Sequence, residues 1–295
     1  MTARDVSLRD PGRSQTAPTV ECNLNMTILQ AIVLGAVQGA TEFLPISSTA
    51  HLILLPWFLG WPDPGLSFDV ALHLGTLVAL LIYFRLEWIA LALSALDLVR
   101  GRTDDSNARM ALLIIIGTIP GAIAGALFEH KVEDALRSPV VISFTLIVLA
   151  LVLVAAELKG RRKKSLNEVS TGDAVSVGLA QALAIVPGVS RSGVTITAGL
   201  FRGMKRDTAA KFSFYLSTPL VAGAAAKKIL DIAKLGLSFE QMTPLIVGII
   251  TSGVVGYLAI AFMLRYLQTH NTFLFVYYRI ALGIVVLLAF SFGFR

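Results

Sequence analysis

Cysteine is all but missing from this 295-residue chain. Cys22 is the only one, which excludes an intrachain disulfide and speaks against a metal-thiolate centre. Charge is scarce as well. Asp, Glu, Lys and Arg make up 15% of residues, against about 25% in a soluble domain. Hydrophobic residues reach 55% and the mean hydropathy is +0.75. These shortages exclude an ordinary soluble domain and leave an all-α polytopic membrane protein. No basic stripe is interleaved with aromatics on a polar face, so nucleic acid is not an expected partner. The net charge of +6 comes from basic residues clustered in loops, a pattern of membrane topology more than of ligand affinity.

Residues 1–25 are polar and without periodicity, and are expected to be a disordered extension, with Met1 or Met26 as the start. Cleavage of the following apolar segment as a signal peptide is rejected, because it would remove Gln38 and Glu42. Segments 28–44 and 48–60 are each shorter than the ~20 residues of a full span, and together suit a re-entrant hairpin. Full spans are expected near 67–84, 109–128 and 139–158, with 85–100 as an interfacial helix. A basic cytoplasmic loop covers 159–171. A second hairpin at 172–202 is followed by spans near 208–229, 243–265 and 273–293.

The halves 26–158 and 172–295 thus share one plan, a hairpin plus three spans. Gly35, Gln38 and Ser47 recur as Gly178, Gln181 and Ser190, each 143 positions on. Three crossings per half make the second copy inverted, an architecture also common in transporters. Arg85, Arg100, Arg102 and Arg109, the run Lys159 to Lys164, and Arg202, Lys205 and Arg206 all fall on one face. That face is expected to be cytoplasmic, with the N-terminus, the first hairpin's mouth and the C-terminus facing outward.

Two stretches carry chemistry. Gln38 to His51 reads Gln-Gly-Ala-Thr-Glu-Phe-Leu-Pro-Ile-Ser-Ser-Thr-Ala-His. In a helix Gln38 and Glu42 share a face, Pro45 ends that helix, and Ser47 or Ser48 caps the next, which carries His51. Polar groups gathered at a helix break inside an apolar segment are costly and mark a functional site. Ser48 or His51 could attack phosphorus with Glu42 as orienter or base. Glu42 with Gln38 could instead hold a divalent cation. Pro187 to Thr195 reads Pro-Gly-Val-Ser-Arg-Ser-Gly-Val-Thr. A helix starting there aims free N–H groups at an anion, Arg191 adds a planar fork, and Ser190, Ser192, Gly193 and Thr195 complete a phosphate cradle with Ser47 from the first stretch. The bland alternative is a structural Arg191–Glu42 ion pair. His73 reads as an interhelical hydrogen bond, and Arg265 and Arg279 as structural.

These two motifs resemble those of the undecaprenyl-diphosphate phosphatases of the bacitracin-resistance type. That family has (Glu/Gln)-x-x-x-Glu running into Phe-Leu-Pro-x-Ser-Ser-Thr-x-His, here Gln38 and Glu42 through His51, and Pro-Gly-x-Ser-Arg-Ser-Gly-x-Thr, here Pro187 through Thr195. The similarity runs from about Met26 to the C-terminus. It implies hydrolysis of undecaprenyl diphosphate to the monophosphate, recycling of the cell-wall lipid carrier, bacitracin resistance and a divalent cation, Mg or Ca. It also implies a multi-pass place in the bacterial inner membrane, with the site open to the periplasmic side, and allows a homodimer. This chain has Gln38 where many members have Glu, which leaves one carboxylate in the motif. The expected assignment is Ser48 as nucleophile, His51 and Glu42 as acid–base pair and Arg191 on phosphate, with the reverse roles of Ser48 and His51 close behind. The rival is a transporter or flippase of a phosphorylated polyprenyl lipid, which would need the cradle but no nucleophile.

Overall fold

A computed structural model describes residues 26–99, 105–234 and 239–294. The extension at 1–25, and Arg100 and Arg102 of the basic segment, lie outside the described residues. Eleven α-helices follow in order: α1 (Ile28–Phe43), α2 (Ser48–Leu59), α3 (Leu66–Tyr83), α4 (Arg85–Val99), α5 (Ser106–Leu136), α6 (Pro139–Lys159), α7 (Thr171–Ala182), α8 (Arg191–Phe201), α9 (Arg206–Lys234), α10 (Phe239–Thr269) and α11 (Phe273–Ser291). Among the described residues there is no sheet, only a parallel bridge between Lys164 and Met204.

Each boundary has a local cause. Thr27 and Gln30 form a capping box at the start of α1, and Pro45 prevents its continuation past the extended Leu44. Ser47 then caps α2, accepting from the Ala50 N–H, and Gly60 ends it in the left-handed region. Asp105 caps α5, accepting from the Asn107 N–H at 3.1 Å and the Ser94 hydroxyl at 2.5 Å. The Ser94 bond, with the backbone bonds of the cap, holds the Asp105 carboxyl below its usual range.

The stretches Ser106–Phe128, Pro139–Lys159, Glu240–Thr269 and Phe273–Ser291 are long and apolar enough to cross a membrane. α3 and α4 pass the same test as a pair bent by 81°. The long helices overrun the expected spans because hydropathy marks only their apolar part, while caps and backbone bonding set the ends. α9 falls outside that apolar set. It buries Thr208, Ser213, Ser217 and Thr218 against other helices. Phe144, Leu151, Ile250, Leu258 and Phe262 stay exposed on outward faces, as helices facing acyl chains require.

The two halves interlock. α1 packs along α10, and α7 along α5, so each hairpin lies against the second long span of the other half, while α3 meets α9 and α6 meets α11. Gly35 and Gly178 make the corresponding close approaches possible. A Cβ on Gly35 would collide with the Gly248 carbonyl, and one on Gly178 with that of Gly117. On the face carrying the basic loops, buried Glu157 gathers Arg162, Arg206 and Thr272. Buried Asp173 gathers Lys164 at 2.8 Å and Arg202 at 2.7 Å. These hubs tie the loop 160–170 to the start of α9.

Candidate active site

Both helix breaks use the same backbone. Ser47 has φ 75° and ψ 97°, and Ser190 has φ 68° and ψ 108°. Such values are rare for a residue with a side chain and need external support. Arg279 of α11 supplies it. The side chain is 1% exposed and its guanidinium donates to the carbonyls of Pro45 (3.1 Å), Gly188 (3.1 Å), Val189 (3.3 Å), Leu146 (3.1 Å) and Thr145 (3.4 Å). One cation thereby locks both breaks to each other and to α6. The sequence showed only an arginine at a helix end.

The first residue of each following helix reaches Glu42 of α1, Ser48 from the same hairpin and Arg191 from the other. Ser48 Oγ donates to Glu42 Oε2 at 2.5 Å, and Arg191 donates to Glu42 Oε1 and, at 3.3 Å, to the Ser217 carbonyl. Gln38 Nε2 donates to Glu42 Oε2 at 3.0 Å, and His73 Nε2 lies 3.4 Å from the same oxygen. Glu42, Ser48 and Arg191 therefore form one buried centre. The His73 ring is bracketed by acceptors, since its Nδ1 is 2.7 Å from the Asp69 carbonyl. Expected to be a structural hydrogen bond, it sits at the site. Its signal was weak, a single histidine in a span.

A cavity of about 510 Å³ opens on this centre. Glu42, Ser47, Ser48, Ser190 and Arg191 line it, together with Asp69 and His73 of α3, small residues of α5 and the stretch 219–225 of α9. α2 and α8 both begin at its wall, which directs two helix N-termini toward an anion inside.

Other expected site residues sit elsewhere. Ser192 donates to the Leu44 carbonyl at 2.9 Å, Gly193 gives its N–H to Ser190 Oγ at 3.1 Å, and Thr195 meets Ser213 at 2.6 Å. None of the three lines the cavity; they brace the second break against α1 and α9. His51 does not line it either. Its Nδ1 is 2.6 Å from the Ser47 carbonyl and its Nε2 2.7 Å from the Tyr278 hydroxyl. In the neutral ring Nδ1 therefore carries the hydrogen and Nε2 accepts from Tyr278. The structure joins Ser48 to Glu42 and leaves His51 facing α11.

The donor set does not fit a divalent cation on Glu42 and Gln38. Both oxygens of Glu42 already accept from a cation, a hydroxyl and an amide, and only Gln38 Oε1 remains without a hydrogen bond. Among the described residues no three His, Cys, Asp or Glu side chains are grouped to hold a metal. Calcium takes six or more oxygens, and magnesium keeps its waters and binds through carboxylates and substrate phosphates.

Fold and site together define a polytopic membrane protein whose enclosed centre combines a hydroxyl, a carboxylate and a guanidinium. The sequence profile of the bacitracin resistance protein BacA family matches residues 31–285, and the chain belongs to that family. It is similar to the undecaprenyl-diphosphatase of Moorella thermoacetica, 51% identical over 90% of this chain and 98% of the relative. The undecaprenyl-diphosphatases of Thermomicrobium roseum and Pelobacter propionicus are 49% and 48% identical, over 91% and 88% of this chain and 100% and 95% of theirs.

Proposed function

We propose that this protein is an integral membrane phosphatase that hydrolyses undecaprenyl diphosphate to undecaprenyl phosphate and inorganic phosphate. In that role it recycles the lipid carrier of cell-wall synthesis and confers bacitracin resistance. The observation that carries the reading is the Ser48–Glu42–Arg191 centre at the wall of a cavity, in a family whose named relatives are undecaprenyl-diphosphatases. A binding or transport site needs Arg191 and the helix N-termini, but has no use for a hydroxyl hydrogen-bonded to a buried carboxylate.

In the proposed reaction Ser48 Oγ attacks the terminal phosphorus while its proton passes to Glu42. The bond from phosphorus to the bridging oxygen breaks, undecaprenyl phosphate leaves with the electron pair, and water then cleaves the phosphoserine. Arg191 and the first N–H groups of α2 and α8 carry the charge that develops on the phosphoryl oxygens. This requires Arg191 to exchange part of its bond with Glu42 for phosphate, which frees the carboxylate to act as base. His51 acts at one remove, holding the Ser47 carbonyl and so the start of α2. A divalent cation enters this reading as a counter-ion on the diphosphate, and no step depends on its being held by protein side chains.

The same reading places the chain in the bacterial inner membrane as an inverted repeat, with basic loops in the cytoplasm and the cavity facing out. The test is phosphate release from a polyprenyl diphosphate by the purified protein in detergent, beside Ser48→Ala, Glu42→Gln and Arg191→Ala. Release by wild type and loss in all three is expected. A folded wild type that binds the lipid without releasing phosphate would sink the enzyme.

A further inference from the structure

Gln181 lies on α7, in the second hairpin, at the position that corresponds to Gln38 in the first. The two amides differ in their partners. Gln38 gives its Nε2 to Glu42 at 3.0 Å, whereas Gln181 is 1% exposed and neither Nε2 nor Oε1 has a hydrogen-bond partner. Burying an amide without a partner is costly, and Leu or Met would fill the same volume without that cost. Packing therefore does not explain a glutamine here.

Its surroundings do. Gln181 lines the same cavity as Ser48, Glu42 and Arg191. On the α5 side it is backed by Gly121, where a Cβ would come within 3.1 Å of Nε2 and 3.2 Å of Cγ. The amide is thus buried against the Gly121 backbone, in the wall of the space a substrate enters. A neutral donor suits that place. It adds a hydrogen bond to an anionic oxygen without adding charge that would retain the product.

Building on the phosphatase reading above, we infer that Gln181 is a substrate-binding residue whose amide N–H donates to a phosphoryl oxygen of the polyprenyl diphosphate. It is a third arm of the phosphate site, supplied by α7 beside the starts of α2 and α8. The amide is left unsatisfied in the substrate-free protein and is satisfied by the ligand, the trade between stability and function expected at binding sites.

The test pairs kinetics with unfolding. The KM for polyprenyl diphosphate and the unfolding temperature without substrate are measured for the full chain in detergent, as wild type, Gln181→Leu, Gln181→Asn and Gly121→Ala. Losing a hydrogen bond to a charged acceptor corresponds to a roughly tenfold or larger rise in KM for Gln181→Leu. Its unfolding temperature should equal or exceed that of wild type. Gln181→Asn, which keeps the amide on a shorter arm, should lie between, and Gly121→Ala should raise KM by displacing the amide. Inhibition by inorganic phosphate identifies the acceptor. A Ki that rises with KM assigns it to the terminal phosphoryl group, and an unchanged Ki to the lipid-proximal one. An unchanged KM in Gln181→Leu, or a lowered unfolding temperature, would overturn the proposal, the latter by making the amide structural. If wild type released no phosphate, the enzyme reading would fail by itself. The lipid-induced rise in unfolding temperature would then decide Gln181: a smaller rise in Gln181→Leu supports it and an equal rise overturns it.

Discussion

Removing the guanidinium that joins the two helix breaks tests whether the site is held from α11. Arg279→Met keeps the length and apolar body of the side chain and deletes six contacts to five backbone carbonyls. The Pro45, Gly188 and Val189 carbonyls lie outside the helices and would be left unpaired at about 1–3 kcal/mol each, while those of Thr145 and Leu146 keep their α6 bonds. Against this stands the relief of no longer burying a cation that has only carbonyl partners. Three unpaired carbonyls near the low end of that range, after this relief, leave a net cost of about 3 kcal/mol. At about 2–4 °C per kcal/mol for a chain of this size, unfolding should move down by at least about 6 °C. Activity should fall further than stability does, because Ser47 and Ser190 would lose the support for their positive φ and the Glu42–Arg191 register would loosen. Arg279→Lys should fall between, since one ammonium cannot reach carbonyls on both breaks and on α6 together. The assay is a detergent thermal melt beside phosphate release. A Met variant with wild-type melting and wild-type turnover would refute the clamp.

Four further outcomes are expected. Glu42→Gln should cut turnover by about 10²-fold or more while lipid binding persists, checked by phosphate release and by lipid-induced thermal shift. His73→Gln, which still offers Glu42 an N–H, should keep more activity than His73→Leu, and equal losses would reduce His73 to packing. Gly178→Val should lower the unfolding temperature, because the new side chain strikes the Gly117 backbone and α7 must move off α5; overpacking of this kind costs about 1–3 kcal/mol. Chelator should reduce turnover, whereas added Mg or Ca should leave the melting of substrate-free protein unchanged, since the Glu42–Gln38 set does not fit a cation.

Much of the architecture was legible because membrane solvent leaves few options. Apolar runs mark spans, and Pro45 and Pro187 mark where two of them must break. Glu42, Ser48 and Arg191 could be read for a related reason: a charged or hydroxyl group in such a run has to earn its place. What could not be read were contacts across long sequence separation. Nothing near Arg279 says that its partners are at 45, 146 and 188, and nothing near His73 says that α3 brings it to Glu42. The reverse error has the same origin. Ser192, Gly193 and Thr195 look like phosphate donors in one dimension, but α8 rotates them away from the cavity toward Leu44, Ser190 and Ser213. Ser48 and His51 stand close in sequence, yet α2 turns the imidazole to Tyr278.

The likeness of the two helix breaks shows how one backbone device yields unlike chemistry. Ser47 and Ser190 correspond, share a left-handed φ and cap their helices in the same way. The next residue in each copy is the first of its helix, Ser48 in one and Arg191 in the other, so the same vector delivers a hydroxyl from one side and a guanidinium from the other. Both end on Glu42, whose own counterpart 143 positions on is Ile185. A symmetric pair of carboxylates would have left two buried charges for one arginine, whereas the single acid lets the centre stay neutral until a diphosphate competes for Arg191. Restoring the symmetry should therefore abolish function in either direction. Ser48→Arg would set two guanidiniums on one carboxylate with no nucleophile, and Arg191→Ser would leave Glu42 without its cation. The lipid-induced thermal shift separates them: Ser48→Arg should still bind the diphosphate, and Arg191→Ser should not. If both bound equally, the division of labour between the two breaks would be wrong.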